Sequence, residues 1–489
     1  MSLRIYNTLS RAVEKFTPLE AGHVRMYVCG MTVFDFCHVG HARSNVAFDV
    51  VQRWLKVSGY KVTHIRNITD IDDKIIKRAV ENGESIRALT NRMVDAMHED
   101  FDALGIARPT AEPRATEFVP QMLHMIGVLE EKGLAYRTPQ GDVNYAVRKF
   151  PGYGKLSGKS LDELHAGERV AVLDGKEDPL DFVLWKGAKT SEPADVKWDS
   201  TFGPGRPGWH IECSAMATKY LGTQFDIHGG GMDLLFPHHE SEIAQSTICN
   251  HVAPVRYWMH NNMITINGRK MGKSYNNVIK LTELFAGTHP ELTQAYHPMT
   301  VRFFILQSHY RSTLDFSNEA LQAAEKGLKR LWDAYEGLSS PNWTATLTHV
   351  EAGDASLDAE VNRLLNEIPE FVNDDFNTAK ALANLFELVS TLNSVKDGLI
   401  SITALSSSTI ARLKTEWKTW LEDVFGLTGV TEADNEKLQG VMELLIEIRK
   451  EAKSRKDFIT SDKIRDQLIA MGIQLKDEKG GGTSWAIGS

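Results

Sequence analysis

The sequence predicts an α/β fold: a Rossmann-like, doubly wound domain that carries an inserted subdomain and is followed by an α-helical bundle and a small C-terminal domain. Three observations predict it. Residues His23 to Ile68 have the pattern of a strand, a helix and a strand, which opens a doubly wound sheet. The stretch from Gly133 to Gly208 is rich in glycine and proline, and long amphipathic helices follow Tyr310. A chain of 489 residues is also too long for one ordinary core.

The opening unit is predicted from hydrophobic periodicity. Residues His23 to Val28 alternate as a strand does, and Gly30 to Cys37 is typical of a loop. Apolar residues between Ala42 and Lys56 then fall at helical spacing, and Gly59 ends that helix. Tyr60 to Ile68 has the pattern of the second strand. Together these segments predict two parallel strands joined by a crossover helix.

The remaining elements place the other domains along the chain. The elements predicted before the bundle are helices Ser85 to Leu104 and Ala115 to Glu131, a short strand-like run Val143 to Val147, helix Trp209 to Tyr220, strand Gln224 to His228, a glycine turn and helix His238 to Cys249. The later predicted helices are Asn318 to Tyr335, Ala355 to Val372, Asn377 to Val395, Thr409 to Val424, Leu438 to Ser454 and Ser461 to Met471. The predicted domains are residues 1–114 with 209–264 (the split Rossmann-like catalytic domain), 115–208 (a connective insertion), 265–316 (a linking segment), 317–428 (the bundle) and 429–489 (the C-terminal domain).

Composition excludes several classes of protein. Hydrophobic residues make up 42% of the chain and charged residues 24%, as in globular proteins. No apolar run approaches the roughly 18 residues of a membrane span, and the first residues do not form a signal peptide, so a cytoplasmic protein is expected. Four cysteines are too few for a disulfide framework, which leaves free thiols, metal ligands or catalytic groups. The net charge of -9 argues against sequence-blind binding of nucleic acid, but not against a local basic surface.

Two short motifs suit phosphate chemistry. His38-Val39-Gly40-His41 lies between the first strand and its helix, where free N–H groups and the helix dipole favour anions and Gly40 allows close approach. Lys270-Met271-Gly272-Lys273-Ser274 follows the turn Asn267-Gly268, and its lysines can offset charge on a polyphosphate. Taken singly, histidines like those of the first motif are more often structural or incidental, and a lysine pair like that of the second more often lies on a solvated loop.

A metal site is the second chemical hypothesis. His238 and Glu242 are four residues apart, so they share one helical face. Cys213 lies early in a predicted helix and Cys29 ends the first strand, so these segments can converge. Cys249 lies eleven residues beyond His238, or about 16 Å along a helix, and is excluded from the same site. Spacing alone does not exclude Cys37 as a ligand.

The two phosphate motifs together resemble the paired HIGH and KMSKS signature of class I aminoacyl-tRNA synthetases. Gly272 departs from that signature, which usually has serine there, so the catalytic roles transfer to His38, His41, Lys270 and Lys273 but not to position 272. The stretches that resemble the cysteinyl-tRNA synthetase family in particular are Met26 to Arg43, Gly208 to Met216, Asp226 to Gln245, Asp374 to Thr378 and the tail segments RKDFITSDKIRDQL, GIQLKD and GTSW.

This resemblance implies specific roles for site residues. The implied ligands of one zinc ion per chain are Cys29, Cys213, His238 and Glu242, which selects Cys29 over Cys37. The implied substrate pocket contains Thr32, Thr69, Trp209 and His228, and the implied ATP-binding residues are His38, Gly40, His41, Gly229, Gly230, Gly231, Asp233 and Lys273. The implied reaction is attack of the L-cysteine carboxylate on Mg²⁺-bound ATP, followed by transfer to tRNA(Cys). Zinc would select the thiolate over the serine hydroxyl, so no proofreading domain is expected.

Alternatives remain open at the level of sequence. The zinc is either structural or in contact with substrate, Trp209 is either a packed anchor or a lid, and the glycines are either a turn or an adenosine site. The alternative functions are the cysteine ligase of mycothiol synthesis and an inactive RNA-binding paralogue. A run of basic residues in the tail is either a solvated face or an RNA-binding surface. The resemblance implies that it contacts the anticodon, which favours the tRNA enzyme over the ligase. The run contains Arg449, Lys450, Lys453, Arg455, Lys456, Lys463 and Arg465, with Phe458 and Trp485 nearby. A monomer is expected.

Overall fold

The structure, a computed structural model, describes residues 2–161, 163, 175–189, 192–338, 351–429, 432–470, 473–477 and 483–487. Only the backbone is described for residues 194, 273, 432–439, 470, 474, 476, 477, 483, 484, 486 and 487. The chain divides into two compact units, Met1–Leu427 and Thr428–Ser489. Among the described residues, no helix combines the length and the hydropathy needed to cross a membrane.

The helices and strands have the following bounds. The helices are α1 (Val39–Val57), α2 (Asp73–Asn82), α3 (Ile86–Ala103), α4 (Val119–Glu131), α5 (Trp209–Leu221), α6 (Glu240–Asn250), α7 (Leu281–Ala286), α8 (Pro298–Leu306), α9 (Asn318–Leu338), α10 (Ala355–Asn373), α11 (Thr378–Lys396), α12 (Ser407–Lys418), α13 (Glu432–Ser454) and α14 (Phe458–Ala470). The strands are β1 (Arg4–Asn7), β2 (Ala12–Lys15), β3 (His23–Val28), β4 (Lys61–Arg66), β5 (Ala135–Arg137), β6 (Val143–Tyr145), β7 (Phe182–Gly187), β8 (Gly205–Pro207), β9 (Phe225–Gly231), β10 (Val255–Asn261), β11 (Ile264–Ile266), β12 (Arg269–Lys270), β13 (Leu314–Phe316), β14 (Ile473–Asp477) and β15 (Thr483–Ile487).

The first unit is built on a four-stranded parallel sheet with the strand order β10-β9-β3-β4. The chain runs from β3 through α1 to β4 on one side, and later returns through β9 to β10 on the other side of β3. The strand order therefore reverses between β3 and β9. In doubly wound sheets, ligands bind outside the carboxyl ends of the strands at this switch point.

The sheet and its crossover helix confirm the Rossmann-like fold class. The predicted first strand has the observed bounds, and β4 is shorter than predicted by one residue at its start and two at its end. Helix α1 begins three residues earlier than predicted, because the His38 side chain caps its first turn by accepting from the Gly40 N–H. Side-chain capping extends a helix beyond its hydrophobic stripe.

The prediction of a glycine turn after His228 was wrong. Gly229, Gly230 and Gly231 are instead the last residues of β9 and pair in parallel with β10. Tight packing explains the glycines, since a Cβ on Gly229 would lie 2.3 Å from the Phe48 ring. A Cβ on Gly230 would lie 2.9 Å from the His239 ring. The strand therefore extends to the switch point with its backbone in close contact with neighbouring side chains.

The insertion carries a sheet of its own, in which β5, β6, β7 and β8 pair antiparallel in chain order. Tyr145 and Trp185 are fully buried in this part of the molecule. Strand β8 ends at Pro207, and helix α5 begins at Trp209. The insertion therefore returns the chain directly to the parent fold. The sequence analysis predicted only the β6 strand of this sheet.

After the parallel sheet, the first unit continues with a small sheet of strand order β12-β11-β13. Helices α7 and α8 lie between β12 and β13 in the chain, and α9 to α12 follow β13. Helices α9 to α12 confirm the four predicted bundle helices, and α12 continues as a π-helical turn over Thr419–Val424. The second unit contains α13, α14 and an antiparallel hairpin of β14 and β15. Sequence periodicity missed this hairpin and placed the starts of α13 and α14 six and three residues too late.

The basic tail differs in one respect from the predicted surface. Arg449 is only 5% exposed and therefore is not part of an exposed basic surface. Lys450, Lys456 and Lys463 are exposed, as is Phe458. The predicted basic surface is therefore smaller by one residue.

Candidate functional site

The four predicted metal ligands lie together at the carboxyl end of the parallel sheet. Cys29 directly follows β3, Cys213 lies in the first half of α5, and Glu242 lies in the first turn of α6. Cys29 Sγ lies 3.6 Å from Cys213 Sγ and 3.6 Å from Glu242 Oε1. His238 Nε2 lies 3.4 Å from Cys213 Sγ and 3.2 Å from Glu242 Oε1. The four candidate donor atoms all lie within 4.8 Å of one another.

These distances fit a tetrahedral metal site. An ion bonded at about 2.3 Å to sulfur and about 2.0–2.1 Å to nitrogen and oxygen implies ligand–ligand edges of about 3.8 Å for S–S, 3.5 Å for S–N or S–O and 3.3 Å for N–O. The measured edges are 3.6 Å between the sulfurs, 3.4 Å and 3.6 Å from sulfur to the other ligands, and 3.2 Å between nitrogen and oxygen. Two thiols, an imidazole and a carboxylate at these spacings can hold one divalent ion.

Burial determines the protonation of the cluster in the protein alone. Desolvation raises the pKa of the Cys29 thiol well above its usual value, and the neighbouring Cys213 raises it further. Desolvation also raises the pKa of the Cys213 thiol, and it lowers the pKa of His238. The thiolates are therefore disfavoured until a cation is bound, because metal ions coordinate the deprotonated sulfur. Metal binding to this site must release protons.

A second histidine, His239, contacts the cluster and was missed by sequence reasoning. His239 Nε2 lies 3.3 Å from Cys29 Sγ, and His228 Nε2 lies 2.9 Å from Glu242 Oε2. These four residues form an overlapping group of donor atoms within 4.8 Å of one another. The signal in the sequence was the histidine doublet: position 239 is three residues before Glu242, and i,i+3 neighbours share a helical face as i,i+4 neighbours do.

Further histidines orient the imidazoles of the cluster. His210 Nδ1 lies 2.9 Å from His238 Nδ1, and His260 Nε2 lies 2.8 Å from His239 Nδ1. Burial lowers the pKa of both His210 and His260 to about 3, so both rings are neutral near pH 7. A neutral ring behind a ligand fixes both its orientation and its tautomer. None of these contacts between distant segments is visible in sequence spacing.

The other two cysteines lie elsewhere. Cys37 Sγ lies 3.5 Å from Met31 Sδ, and burial raises the pKa of the Cys37 thiol. Cys249 Sγ lies 3.7 Å from the Met125 carbonyl oxygen. Neither belongs to a group of candidate metal ligands among the described residues. The structure therefore places Cys29, and not Cys37, with the other three predicted ligands.

The threonines assigned to the substrate pocket lie beside this cluster. Thr32 and Thr69 pair through a parallel bridge just beyond the ends of β3 and β4. The Thr69 hydroxyl donates to Glu212 Oε2 at 2.7 Å and accepts from Asn67 Nδ2 at 3.2 Å. Asn67 Oδ1 in turn accepts from the Gly30 N–H at 2.8 Å. A hydrogen-bonded network therefore fixes the Thr69 side chain next to the segment that carries Cys29.

Trp209 has a different environment from the other residues assigned to the pocket. It is the first residue of α5, and its side chain is 39% exposed. Its ring lies 4.3 Å, centroid to centroid, from the ring of the buried His238. Trp209 therefore covers the candidate metal ligands from the solvent side, whereas His228 is 1% exposed and lies behind Glu242.

The HVGH motif forms the N-terminal cap of α1. His38 Nδ1 accepts from the Gly40 N–H at 3.1 Å, and His41 Nδ1 accepts from the His38 N–H at 3.2 Å. The two rings stack with their centroids 3.7 Å apart. Because each Nδ1 accepts, each neutral imidazole carries its proton on Nε2. Burial lowers the pKa of His41 well below its usual value, which keeps that ring neutral.

The KMGKS motif lies on a strand and the turn after it. Lys270 ends β12 and is exposed, and Lys273 begins a short 3₁₀ helix, although its side chain lies outside the described residues. Asn277, which the sequence analysis did not identify, closes this turn. Its amide donates to the Lys270 carbonyl at 3.1 Å, and its Oδ1 accepts from the Gly272 N–H at 2.9 Å.

The structure brings the two motifs into contact. His38 pairs with Lys280 in an antiparallel bridge, and the Val39 N–H donates to the Ile279 carbonyl at 3.1 Å. A Cβ on Gly40 would lie 3.0 Å from the Met271 methyl carbon. The helix cap and the lysine turn therefore lie side by side, although more than 200 residues separate them along the chain.

Asp233 lies just beyond the glycines that end β9. It is exposed and belongs to a 3₁₀ turn, Met232–Leu234. A Cβ on Gly231 would lie 2.3 Å from Asp233 Oδ1. Gly231 therefore allows this carboxylate to lie against the backbone at the switch point of the sheet.

The chain is similar to known proteins over its whole length. A family profile described as "tRNA synthetases class I (C) catalytic domain" matches residues 15–326, and one described as "DALR domain" matches residues 369–429. The cysteine--tRNA ligase of Polaromonas sp. (strain JS666) is 54% identical over 499 residues, with 100% of both chains covered. The cysteine--tRNA ligase of Acidovorax sp. (strain JS42) is 55% identical, with 99% of both chains covered.

Solved structures of other synthetases share the fold. A methionyl-tRNA synthetase of Mycobacterium tuberculosis superposes with a TM-score of 0.56 at 16% identity, covering 82% of this chain and 89% of that one. A putative arginyl-tRNA synthetase of Campylobacter jejuni gives a TM-score of 0.54 at 11% identity, covering 83% and 92%. With the class I catalytic profile over residues 15–326 and full-length relatives above half identity, the chain belongs to the cysteine--tRNA ligase family of class I tRNA synthetases.

Proposed function

We propose that the protein activates L-cysteine with ATP and transfers the cysteinyl group to tRNA(Cys). The observation that carries this proposal is the buried cluster of Cys29, Cys213, His238 and Glu242 at the switch point of the sheet. Cys29 belongs to the same segment as the HVGH cap, which follows it within nine residues. Full-length relatives that bear the name cysteine--tRNA ligase support the same reaction.

The HVGH and KMGKS residues supply electrostatic stabilisation in this proposal. A carboxylate nucleophile needs no general base, so the chain has to position ATP and stabilise charge as pyrophosphate leaves. The Nε2–H groups of His38 and His41 are suited to donate to phosphate oxygens, because their Nδ1 atoms are used in the helix cap. Lys270 and Lys273 offset the negative charge of the phosphates. ATP is expected as its Mg²⁺ complex.

The cluster is proposed to hold one zinc ion that selects cysteine. Zinc bound there would accept the substrate thiol as a further ligand in its deprotonated form, a role for which the harder serine hydroxyl is poorly suited. Trp209 is proposed to close this pocket over His238, and Thr32, Thr69 and His228 to position the substrate. Gly40, Gly229 to Gly231 and Asp233 are proposed to contact the nucleotide.

The C-terminal part of the chain supports tRNA as the acceptor. The DALR match covers the bundle from residue 369, and the second unit adds an exposed lysine surface. A cysteine ligase acting on an amino-sugar has no need of either. The proposed C-terminal role is contact with the anticodon, and the proposed setting is a monomer in the cytoplasm, which gel filtration and fractionation can check.

Pyrophosphate exchange tests the proposal directly. The zinc-loaded protein should exchange labelled pyrophosphate into ATP with cysteine and not with serine, and should then charge total tRNA with cysteine only. Exchange without charging would remove tRNA as the acceptor. No cysteine-dependent exchange from protein with one bound zinc per chain would overturn the proposed reaction.

A further inference from the structure

The loop of residues 308–312, between α8 and β13, contacts the helix that carries the HVGH motif. Arg43 of α1 is 1% exposed, and its guanidinium donates to the carbonyls of Ile305, His309 and Ser312 at 2.9, 2.7 and 3.1 Å. Arg43 lies two residues after His41. The position of this loop is therefore linked rigidly to the helix cap.

The same loop contacts the strands that carry the KMGKS motif. The Asn262 N–H donates to the Tyr310 carbonyl at 2.8 Å, and its side-chain amide donates to the Arg311 carbonyl at 3.0 Å. Asn262 lies two residues before β11, which pairs with β12 so that Thr265 lies opposite Lys270. The loop continues into β13, which pairs with the other edge of β11. The position of Lys270 therefore depends on this loop.

A single buried carboxylate of the bundle holds the loop in place. Asp375 lies between α10 and α11 and is 2% exposed. Its Oδ1 accepts from the Tyr310 hydroxyl at 2.7 Å and from the Tyr6 N–H at 2.8 Å. Its Oδ2 accepts from Arg311 Nε at 2.6 Å, and its carbonyl lies 3.0 Å from His309 Nε2. Through its carboxylate and its backbone carbonyl, Asp375 therefore contacts three consecutive residues of the loop, His309, Tyr310 and Arg311.

The backbone at Asp375 is held in an uncommon conformation. Asp375 and Phe376 have φ values of 62° and 55°, in the left-handed region that residues other than glycine rarely adopt. The Asp375 N–H donates to the Arg4 carbonyl at 3.0 Å. Such a conformation persists only where the surroundings determine it. The contacts with the loop and with β1 are those surroundings.

We infer that Asp375 is a positioning residue for the proposed reaction: by holding the 308–312 loop, it sets the KMGKS strand against the HVGH helix. Asp375 touches no substrate in this role and acts through Tyr310 and Arg311 on Asn262 and β11. This inference rests on the proposed function. It gives a physical reason for a buried acid at the start of the bundle, within the residues of the DALR match.

Asp375→Asn tests the inference with little change in volume. The amide retains an oxygen for Tyr310 but presents N–H groups to Arg311 Nε, so the contact with the loop is lost on that side. We expect a ten- to hundredfold lower kcat for pyrophosphate exchange, because a shift of about 1 Å in a catalytic group costs about that much. KM for cysteine should stay within twofold, since the metal cluster does not contact the loop.

Two further variants separate positioning from loss of stability. Asn384→Ala removes a buried bundle amide that donates to the Leu364 carbonyl at 3.1 Å and is distant from the loop, so it serves as the matched control. Arg311→Gln removes the same ion pair from the loop side. It replaces Asp375→Asn as the test variant if Asp375→Asn does not fold. Arg311→Gln should lower kcat as Asp375→Asn does, and Asn384→Ala should leave kcat unchanged at equal folded fraction.

A double-mutant cycle with Lys270 decides the mechanism. If Asp375 acts by placing Lys270, then Asp375→Asn should lower kcat less than threefold in a Lys270→Ala background, although it lowers it at least tenfold alone. Equal fold-losses in both backgrounds, or a loss matched by Asn384→Ala, would overturn the positioning role. A wild-type protein without cysteine-dependent exchange would instead overturn the proposed function, so the two failures are distinguishable.

Discussion

At the scale of the single residue, the chemistry of the site depends on which atoms hydrogen bonding and burial leave available. The Nδ1 atoms of His38 and His41 close the helix cap, so only Nε2 of each ring can donate to a phosphate. Burial keeps the thiols of Cys29 and Cys213 protonated until a cation arrives. The proposed phosphate contacts of the cap and the proposed thiolate ligands therefore both depend on the surroundings of ordinary side chains.

Cys213→Ser is predicted to lose both the metal and the affinity for cysteine. A serine hydroxyl is a harder and weaker ligand than a thiolate, so metal affinity should fall by more than the roughly 10–100-fold caused by loss of an outer hydrogen-bond partner. Metal content by mass spectrometry and cysteine binding by calorimetry measure the two effects. Cys249→Ser is the matched control and should retain both. A variant that loses zinc but binds cysteine normally would make the metal purely structural.

Gly272→Ser is predicted to be tolerated. Gly272 does not have a positive φ, so a side chain there causes no backbone strain. A Cβ would come no closer than 3.3 Å to the Tyr275 ring, which is 64% exposed and can move. Exchange kcat should change by less than about threefold, because the turn keeps the contacts of Asn277. Gly30→Ala provides the contrast, since its Cβ would lie 1.6 Å from the Asn67 carbonyl oxygen. A loss above tenfold in Gly272→Ser would show that the loop requires glycine.

At the scale of elements, periodicity predicts the long segments and misses the short ones. The stripes of α1, α9, α10 and α11 span three or more turns, so hydrophobic spacing locates them within a few residues. Strands β5 and β8 have three residues each, too few for alternation to be distinctive, and neither was predicted. The glycines of β9 were predicted as a turn because their cause, packing against Phe48 and His239, is tertiary.

At the candidate site too, local spacing predicts some residues, whereas others depend on tertiary contacts. The spacing of His238 and Glu242 follows from the helical repeat, and the sequence therefore predicted that pair. Cys29 was preferred to Cys37 only through family resemblance, because the convergence of β3, α5 and α6 is a property of the folded sheet. His239 was missed because its partner Cys29 lies on a distant segment. Asn277 was missed because its partner Gly272 lies across a turn without regular structure.

The buried His64, between β4 and α1, is predicted to lower the free energy of unfolding as the pH falls. His64 of β4 is buried with its Nδ1 3.0 Å from Gln52 Oε1 of α1, and burial lowers its pKa to about 3. Between about pH 6.5 and 3 the unfolded chain therefore binds a proton that the folded protein excludes, so stability is full above pH 6.5 and is lost as pH falls. His64 should contribute about 2 kcal/mol of this loss between pH 7 and pH 5.

His64→Gln measures this contribution. Glutamine does not titrate, so the variant should lose less stability than the wild type between pH 7 and pH 5, by about 2 kcal/mol in urea unfolding. The exposed His124→Gln is the matched control and should keep the wild-type pH dependence. Parallel pH profiles for wild type and His64→Gln would mean that His64 is protonated in the folded protein.

At the scale of the whole molecule, the residues proposed for activation all lie in the first of the two compact units. The candidate metal ligands, the HVGH and KMGKS motifs and the loop of residues 308–312 all lie within Met1–Leu427. The bundle that contributes Asp375 belongs to the same unit, so it can act on the site directly. The second unit, Thr428–Ser489, contains no residue of the proposed activation chemistry. Activation and recognition of tRNA are therefore expected to be separable by truncation.

Deletion of residues 432–489 is predicted to spare adenylate formation and to weaken tRNA charging. The first unit retains its own buried core and every proposed catalytic residue, so cysteine-dependent exchange should stay within about threefold of the full chain. Charging of tRNA should fall at least tenfold in kcat/KM, because phosphate contacts by the exposed lysines are lost. A full-length variant with Lys450, Lys456 and Lys463 changed to glutamate should show the same loss with the fold intact. Wild-type charging by both variants would remove the second unit from tRNA recognition.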